Sequence, residues 1–225
     1  MKQLKKIFEG EVYEMIKKPG GLIFSHLEEA LSDELFVKFK MLDTVSGTIK
    51  DITKNVYSLA KFGSNYRSAV KIVDNYITVK AINLPTGKLF LCEQSGSCFL
   101  LDTDGSILWT GSIMYKDCSP SDIALYDNCV WASFKDNNVL IRFNLATMRE
   151  ELRIGGERSP FAGPRGIYID ENVAVVSNTL SNNLTKVNLD NFTVEQYYEF
   201  EKSVKEYIKV DNYEFVLLED GIYSF

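Results

Sequence analysis

The chain has 225 residues, 45% of them hydrophobic, with 14 Phe, 12 Tyr and only 5 Pro, a composition that supplies ample core and excludes a disordered chain. Its net charge is −6, and Lys and Arg are mixed with Asp and Glu throughout, so no basic stripe exists to neutralise a phosphate backbone and nucleic acid is not an expected partner. No apolar stretch approaches the roughly 20 residues that cross a bilayer, and the segment carrying Lys2, Lys5 and Lys6 has no apolar run behind it to make a signal peptide. The expectation is a cytoplasmic monomer, one domain over residues 1–225, with no membrane contact.

Taken in chain order, Lys2 to Phe8 alternates as a strand does. A first strand-rich unit follows near Val12 to Asn55. Residues 56–75, including Phe62 to Tyr66 and Val70 to Asn75, fit no unit cleanly and read either as an insertion or as two strands of a degenerate blade. A second unit, Tyr76 to Ile113, contains apolar runs separated by Ser95-Gly96 and by Asp102-Thr-Asp104-Gly105. The Asp104-Gly105 pair is a hairpin signal, since glycine accepts the positive φ that a tight β-turn demands.

The units Ser119 to Gly155 and Gly163 to Phe200 repeat one another. An offset of 44 residues, without a gap, places Pro120 on Pro164, Ile123 on Ile167, Asn128 on Asn172 and Ser133 on Ser177. It also places Asn138 on Asn182, Leu140 on Leu184, Asn144 on Asn188 and Leu145 on Leu189. Eight identities in 26 positions stand against roughly one or two expected from average composition, so the repeat is genuine. In the first copy, period-two patterning predicts strands over Asp122–Tyr126, Cys129–Phe134, Val139–Asn144 and Met148–Ile154, separated by Asp and Asn turns. Four antiparallel strands in roughly 40–45 residues have the size of a propeller blade. At the C-terminus, Tyr207–Asn212, Tyr213–Leu218 and Gly221–Phe225 make three strands and then stop, so the N-terminal strand is predicted to supply the fourth.

The fold expected is all-β: a single-domain β-propeller of about five four-stranded antiparallel blades, or six if residues 56–75 form one, its last blade closed by the N-terminal strand. At the apolar runs of Lys88 to Gly96, Ser97 to Gly105 and Ser106 to Gly111, the chain resembles quinoprotein-like and NHL- or YVTN-type propeller repeats. The resemblance implies a scaffold, WD40-like or NHL-like in general plan, and no particular subfamily or cofactor.

Chemistry is sparse in the sequence. Cys92, Cys98, Cys118 and Cys129 show neither CxxC pairs nor histidines at zinc spacing and read as reduced thiols packed as small hydrophobes. The sequons at Asn183 and Asn191 need a secretory route, which nothing here supplies. Asp102-Thr-Asp104-Gly begins like a calcium loop but lacks the later ligands, so no metal is expected. His26 is the single histidine, the default acid/base candidate, with a packing role in a strand as the alternative.

Asp122 and Arg165 fall at neighbouring points of the repeat, just before the inner strands, where propellers commonly bind ligands. The loop from Gly155 to Gly166 holds Arg158 and Arg165 and reads either as an anion cradle or as a solvated connection. The candidate ligand-binding residues are therefore His26, Asp122, Arg158 and Arg165. The leading reading is a non-enzymatic binding module presenting loops to a protein or small-molecule ligand, without a cofactor. The alternative is a propeller lyase or hydrolase, which convergence of His26, Asp122 and Arg165 in one pocket would favour.

Overall fold

The computed structural model describes residues 3–29, 35–53, 57–58, 78–84, 87–92 and 96–225. The region 56–75, except for residues 57 and 58, lies outside them. Two compact units divide the chain: Met1–Asn65 with Val204–Phe225, and Tyr66–Ser203. Among the described residues all regular structure is β, arranged as five antiparallel sheets with the make-up of propeller blades.

The first unit holds two sheets. One takes strands from both chain ends, in the order β1 (Lys5–Glu9), β21 (Gly221–Ser224), β20 (Tyr213–Leu218) and β19 (Val204–Val210). Lys5 lies opposite Ser224 and Glu9 opposite Gly221, so the N-terminal strand is the fourth strand that the C-terminal segment lacks. Gly221 is required at this seam: a Cβ there would come within about 2.1 Å of the Phe8 carbonyl oxygen, and its φ of +148° is open mainly to glycine. Lys6 reaches across to Asp220 at 3.0 Å, and Tyr223 donates to the same carboxylate oxygen at 2.9 Å. The bond to Asp220, then that to Tyr223, raises the Lys6 ammonium above its ordinary range.

The other sheet of this unit is β2 (Val12–Lys18), β3 (Gly21–Glu29), β4 (Leu35–Asp43) and β5 (Ile49–Asp51), with the short β6 (Tyr57–Ser58) pairing farther along β4. Phe24 and Leu22 on β3 are fully buried, and Phe8 of the terminal strand packs on Phe24 with ring centroids 4.8 Å apart.

The second unit holds three sheets, each running from an inner to an outer strand in chain order. They are β7 (Thr78–Leu84) to β10 (Ile107–Ser112), β11 (Asp122–Tyr126) to β14 (Glu150–Gly155), and β15 (Pro164–Asp170) to β18 (Val194–Glu199). Between the ends lie β8 (Gly87–Cys92) and β9 (Ser97–Leu101), β12 (Cys129–Phe134) and β13 (Val139–Asn144), and β16 (Val173–Asn178) and β17 (Asn183–Asn188). One apolar cluster joins Leu89, Leu91, Cys98 and Ile113 to Val130, Phe134, Val139 and Ile141. A second joins Trp131 and Leu140 to Phe161, Ile167, Val176 and Val187.

The 44-residue repeat is structural down to single dihedral angles. Asp127 and Glu171 have φ of +46° and +54°, Asn138 and Asn182 +54° and +53°, Met148 and Phe192 +51° and +61°. Asn144 accepts from the backbone N–H of Ala146 and Thr147, as Asn188 does from Asp190 and Asn191, which explains why asparagine recurs there. Ile123, Leu140 and Leu184 are fully buried and Ile167 nearly so. The repeated residues are thus turn formers and core, the two classes a blade cannot vary. The Asp104-Gly105 turn also forms, with Gly105 at φ +85° and its N–H on the Asp102 carbonyl.

Removing residues 1–10 takes the outer strand from the C-terminal sheet and should lower the melting temperature by about 5 °C or more, since each kcal/mol is worth roughly 2–4 °C at this chain length. A truncated chain that melts with the full one in calorimetry would contradict this role for β1.

Candidate functional site

Five inner strands share one register position, fixed by the residue across the ladder. It holds Glu14 opposite Ser25, Lys80 opposite Leu91, Asp122 opposite Ser133, Gly166 opposite Ser177, and Glu206 opposite Leu217. In four of the five a bulge lies immediately before it, which re-aims the strand's first side chains.

Asp122 uses this position to tie three sheets of the second unit together. Its Oδ2 accepts the backbone N–H of Ile167 on β15 at 3.0 Å, and its Oδ1 accepts the N–H of Ile123 at 2.8 Å. Lys80 of β7 reaches the same carboxylate at 2.9 Å. Asp122 is 7% exposed, so a charge taken out of water is compensated by two N–H groups and an ammonium. Ser133, opposite it, places its hydroxyl 3.1 Å from the Arg165 carbonyl oxygen and 3.4 Å from that of Asp122. The first unit repeats the device once, with Glu206 Oε2 accepting the N–H of Met15 at 3.3 Å.

Arg165 is the extra residue of the bulge in β15: its backbone is fixed by Ser133 while its side chain is exposed. Arg158 is exposed on the preceding loop. That loop is a built structure. Asn138 accepts from Gly156 N and Ser159 Oγ through its backbone carbonyl and from Gly163 N at 2.7 Å through its side chain, and Ser159 Oγ accepts from Phe161 N. Phe161 is 3% exposed and anchors the loop in the apolar cluster beneath. Three loop N–H groups are thereby engaged internally, which leaves the guanidinium groups as its anion-directed parts. Beside it, the N–H groups of Thr179 and Leu180 donate to Gly163 and Ala162, and Leu180 stands 77% exposed.

His26 is in the other unit, on β3, 8% exposed, its ring meeting the edge of Phe8 at 5.2 Å. The structure therefore brings together Asp122 and the Arg165 backbone, with Arg158 on the adjoining loop. His26 packs among the residues of the terminal seam. Cys98, Cys118 and Cys129 are in no disulfide, and burial followed by the Glu151 charge raises the Cys129 thiol, the opposite of nucleophile activation.

Three further features escape a reading of single residues. Lys80 and Glu206 carry no local signal, because their partners are a distant carboxylate and a backbone N–H. Leu180 sits in a turn, where its exposure is visible only in the structure. A third was legible in the repeat: the same offset that aligns the blades puts Asn178 on Phe134, Asn183 on Val139 and Thr185 on Ile141. Where one blade buries three apolar side chains, the next holds a hydrogen-bonded polar trio, with Asn178 Nδ2 2.9 Å from Asn183 Oδ1 and 2.7 Å from Thr185 Oγ1.

No family model matches the sequence, and no curated protein does either. Solved structures do. The β-propeller domain of Cps50 (Swd1) from Myceliophteria thermophila superimposes with a TM-score of 0.61 at 10% identity, covering 99% of each chain. A catalytically inactive histidine-to-alanine form of virginiamycin B lyase from Staphylococcus aureus, with quinupristin, gives 0.56 at 14% identity, covering 99% of this chain and 98% of the lyase. The WD40 propeller domain of Doa1 gives 0.55 at 13%, over 95% of this chain and 62% of that one. At such identities the likeness concerns the fold alone, that of a β-propeller, of which five blades are among the described residues.

Replacing Asp122 by Ala strands the buried N–H of Ile167 and should cost about 1–3 kcal/mol, more if Lys80 finds no other partner. Urea titration of the Asp122→Ala, Lys80→Met and double variants measures both the loss and the coupling; purely additive effects would show that Lys80 and Asp122 act independently.

Proposed function

We propose that this protein is a non-enzymatic binding module whose recognition surface is the loop 156–163 with Arg158, Arg165 and the neighbouring Leu180. The observation that carries this reading is the anchoring of the loop. Asn138, Ser159 and Phe161 hold its backbone, so two arginines and an exposed leucine are displayed at little ordering cost on binding. Arginine around an apolar contact is a common composition for the centre of a protein interface. A protein segment pairing an apolar side chain with acidic residues is the partner that fits, in a cytoplasmic setting. Asp122 belongs to the frame in this reading, because its carboxylate is already occupied by Ile167, Ile123 and Lys80.

The lyase neighbour suggests the competing reading, a channel-mouth enzyme. The state of the single histidine weighs against it: His26 is 8% exposed and packed on the edge of Phe8.

Affinity capture from native extract with the full chain should recover one stoichiometric partner, and Arg158→Glu with Leu180→Asp should weaken its capture about tenfold or more, a change of about 1.4 kcal/mol. The exposed variant Lys88→Glu should leave capture unchanged. Turnover of a small molecule by the full chain, unaffected by the loop variants, would refute the proposal.

A further inference from the structure

The loop displaying Arg158 joins β14 to β15 and the turn displaying Leu180 joins β16 to β17, yet the two are fastened to each other. Thr179 N donates to the Gly163 carbonyl at 2.9 Å, and Leu180 N donates to that of Ala162 at 3.1 Å. The Leu180 side chain lies over the same glycine: a Cβ on Gly163 would come within 2.7 Å of Leu180 Cγ, and the φ of +64° there also favours glycine. Residues 162 and 163 are therefore the shared footing of both segments. Their backbone is held in turn from the preceding sheet by Asn138, in the turn between β12 and β13. Its side-chain Oδ1 accepts the Gly163 N–H at 2.7 Å, while its carbonyl accepts Gly156 N at 3.2 Å and the Ser159 hydroxyl.

The repeat separates two roles of this asparagine. Asn138 and Asn182 coincide at the offset of 44 and have φ of +54° and +53°, a left-handed conformation that asparagine accepts more readily than most residues. Their carbonyls do the same work as well, since the Asn182 carbonyl accepts Phe200 N at 2.8 Å where that of Asn138 accepts Gly156 N. The side-chain bond to Gly163 is what Asn138 adds, and among the described residues the Asn182 side chain makes none.

We propose that Asn138 is the positioning residue of the recognition surface: through Gly163 it sets the Arg158 loop and the Leu180 turn as one element spanning two sheets. Its role in recognition rests on the binding reading above, whereas the coupling of the two segments is carried by hydrogen bonds alone. A partner that reaches both Arg158 and Leu180 meets them already placed relative to each other, and so orders one element on binding instead of two.

Amide hydrogen exchange on the full chain tests the coupling, because glycine at 138 keeps the positive φ and removes only the acceptor. Asn138→Gly should lower the protection of the Gly163, Thr179 and Leu180 amides about fivefold or more, the order of one net hydrogen bond, while the ladder amides of β12 and β13 keep theirs. Asn138→Asp, which retains an Oδ1 acceptor, should restore the parent pattern. Capture of the partner should weaken in Asn138→Gly, with Arg158 and Leu180 both intact, and recover in Asn138→Asp. Unchanged protection at Thr179 and Leu180, an equal loss throughout β12 and β13, or no rescue by aspartate would each overturn the proposal. If the parent chain captures no partner, the binding reading fails, and the exchange pattern still decides whether Asn138 couples the two segments.

Discussion

Three consecutive sheets converge on the carboxylate of Asp122. A blade can satisfy its own ladder, but its innermost strand begins at an edge where one backbone N–H points toward the neighbouring blade. Asp122 accepts that N–H from Ile167, and Lys80 on the other side pairs with the same carboxylate. The arrangement stabilises less by net energy than by uniqueness. An unpaired N–H there would be costly, so the blades have one register relative to one another in which every group is met. Everything described on this part of the surface, the Arg165 bulge and the anchored loop included, inherits its position from that register.

Within the first unit, Glu206 shows the same solution reached with a longer side chain, accepting from Met15. The position tolerates Asp, Glu, Lys and Gly, which is why it leaves no motif: only its function as a hydrogen-bonding stop recurs, and in Gly166 even that is given up. There the strand offers no side chain, and the exposed residue immediately before it is Arg165.

Much of the scaffold was legible because blades repeat. Three strands of the Asp122 sheet coincide with the predicted bounds, and the fourth begins at Glu150 instead of Met148 because Met148 adopts a positive φ to close the turn started by Asn144. The first strand of the C-terminal sheet begins at Val204, three residues before the predicted Tyr207, since a bulge near Lys205 breaks the alternation that marks a strand. The pairing of β1 with β21 was readable as a missing strand at one end and a spare one at the other. The site was harder. The proximity of Asp122 to Arg165 follows from adjacent blades, but a bond from a carboxylate to a backbone N–H 45 residues away has no sequence signature. His26 drew attention by being unique, and uniqueness says nothing about where a side chain points.

The repeat also supplies its own control for what is scaffold and what is not. Where both copies agree, as at Asn144 and Asn188 or Leu140 and Leu184, the shared role is a turn or a core contact. Where they part, the fold has already shown that it accepts either residue, so the difference has another origin. Phe134, Val139 and Ile141 fill their face with hydrocarbon, while Asn178, Asn183 and Thr185 at the same positions hold a polar network at some cost in burial energy. That network lies at the base of the turn that lifts Leu180 into solvent, and the backbone of this turn is bonded to the loop displaying Arg158. Three of the departures from the repeat, Asn178, Asn183 and Thr185, thus stand beneath the turn that carries Leu180.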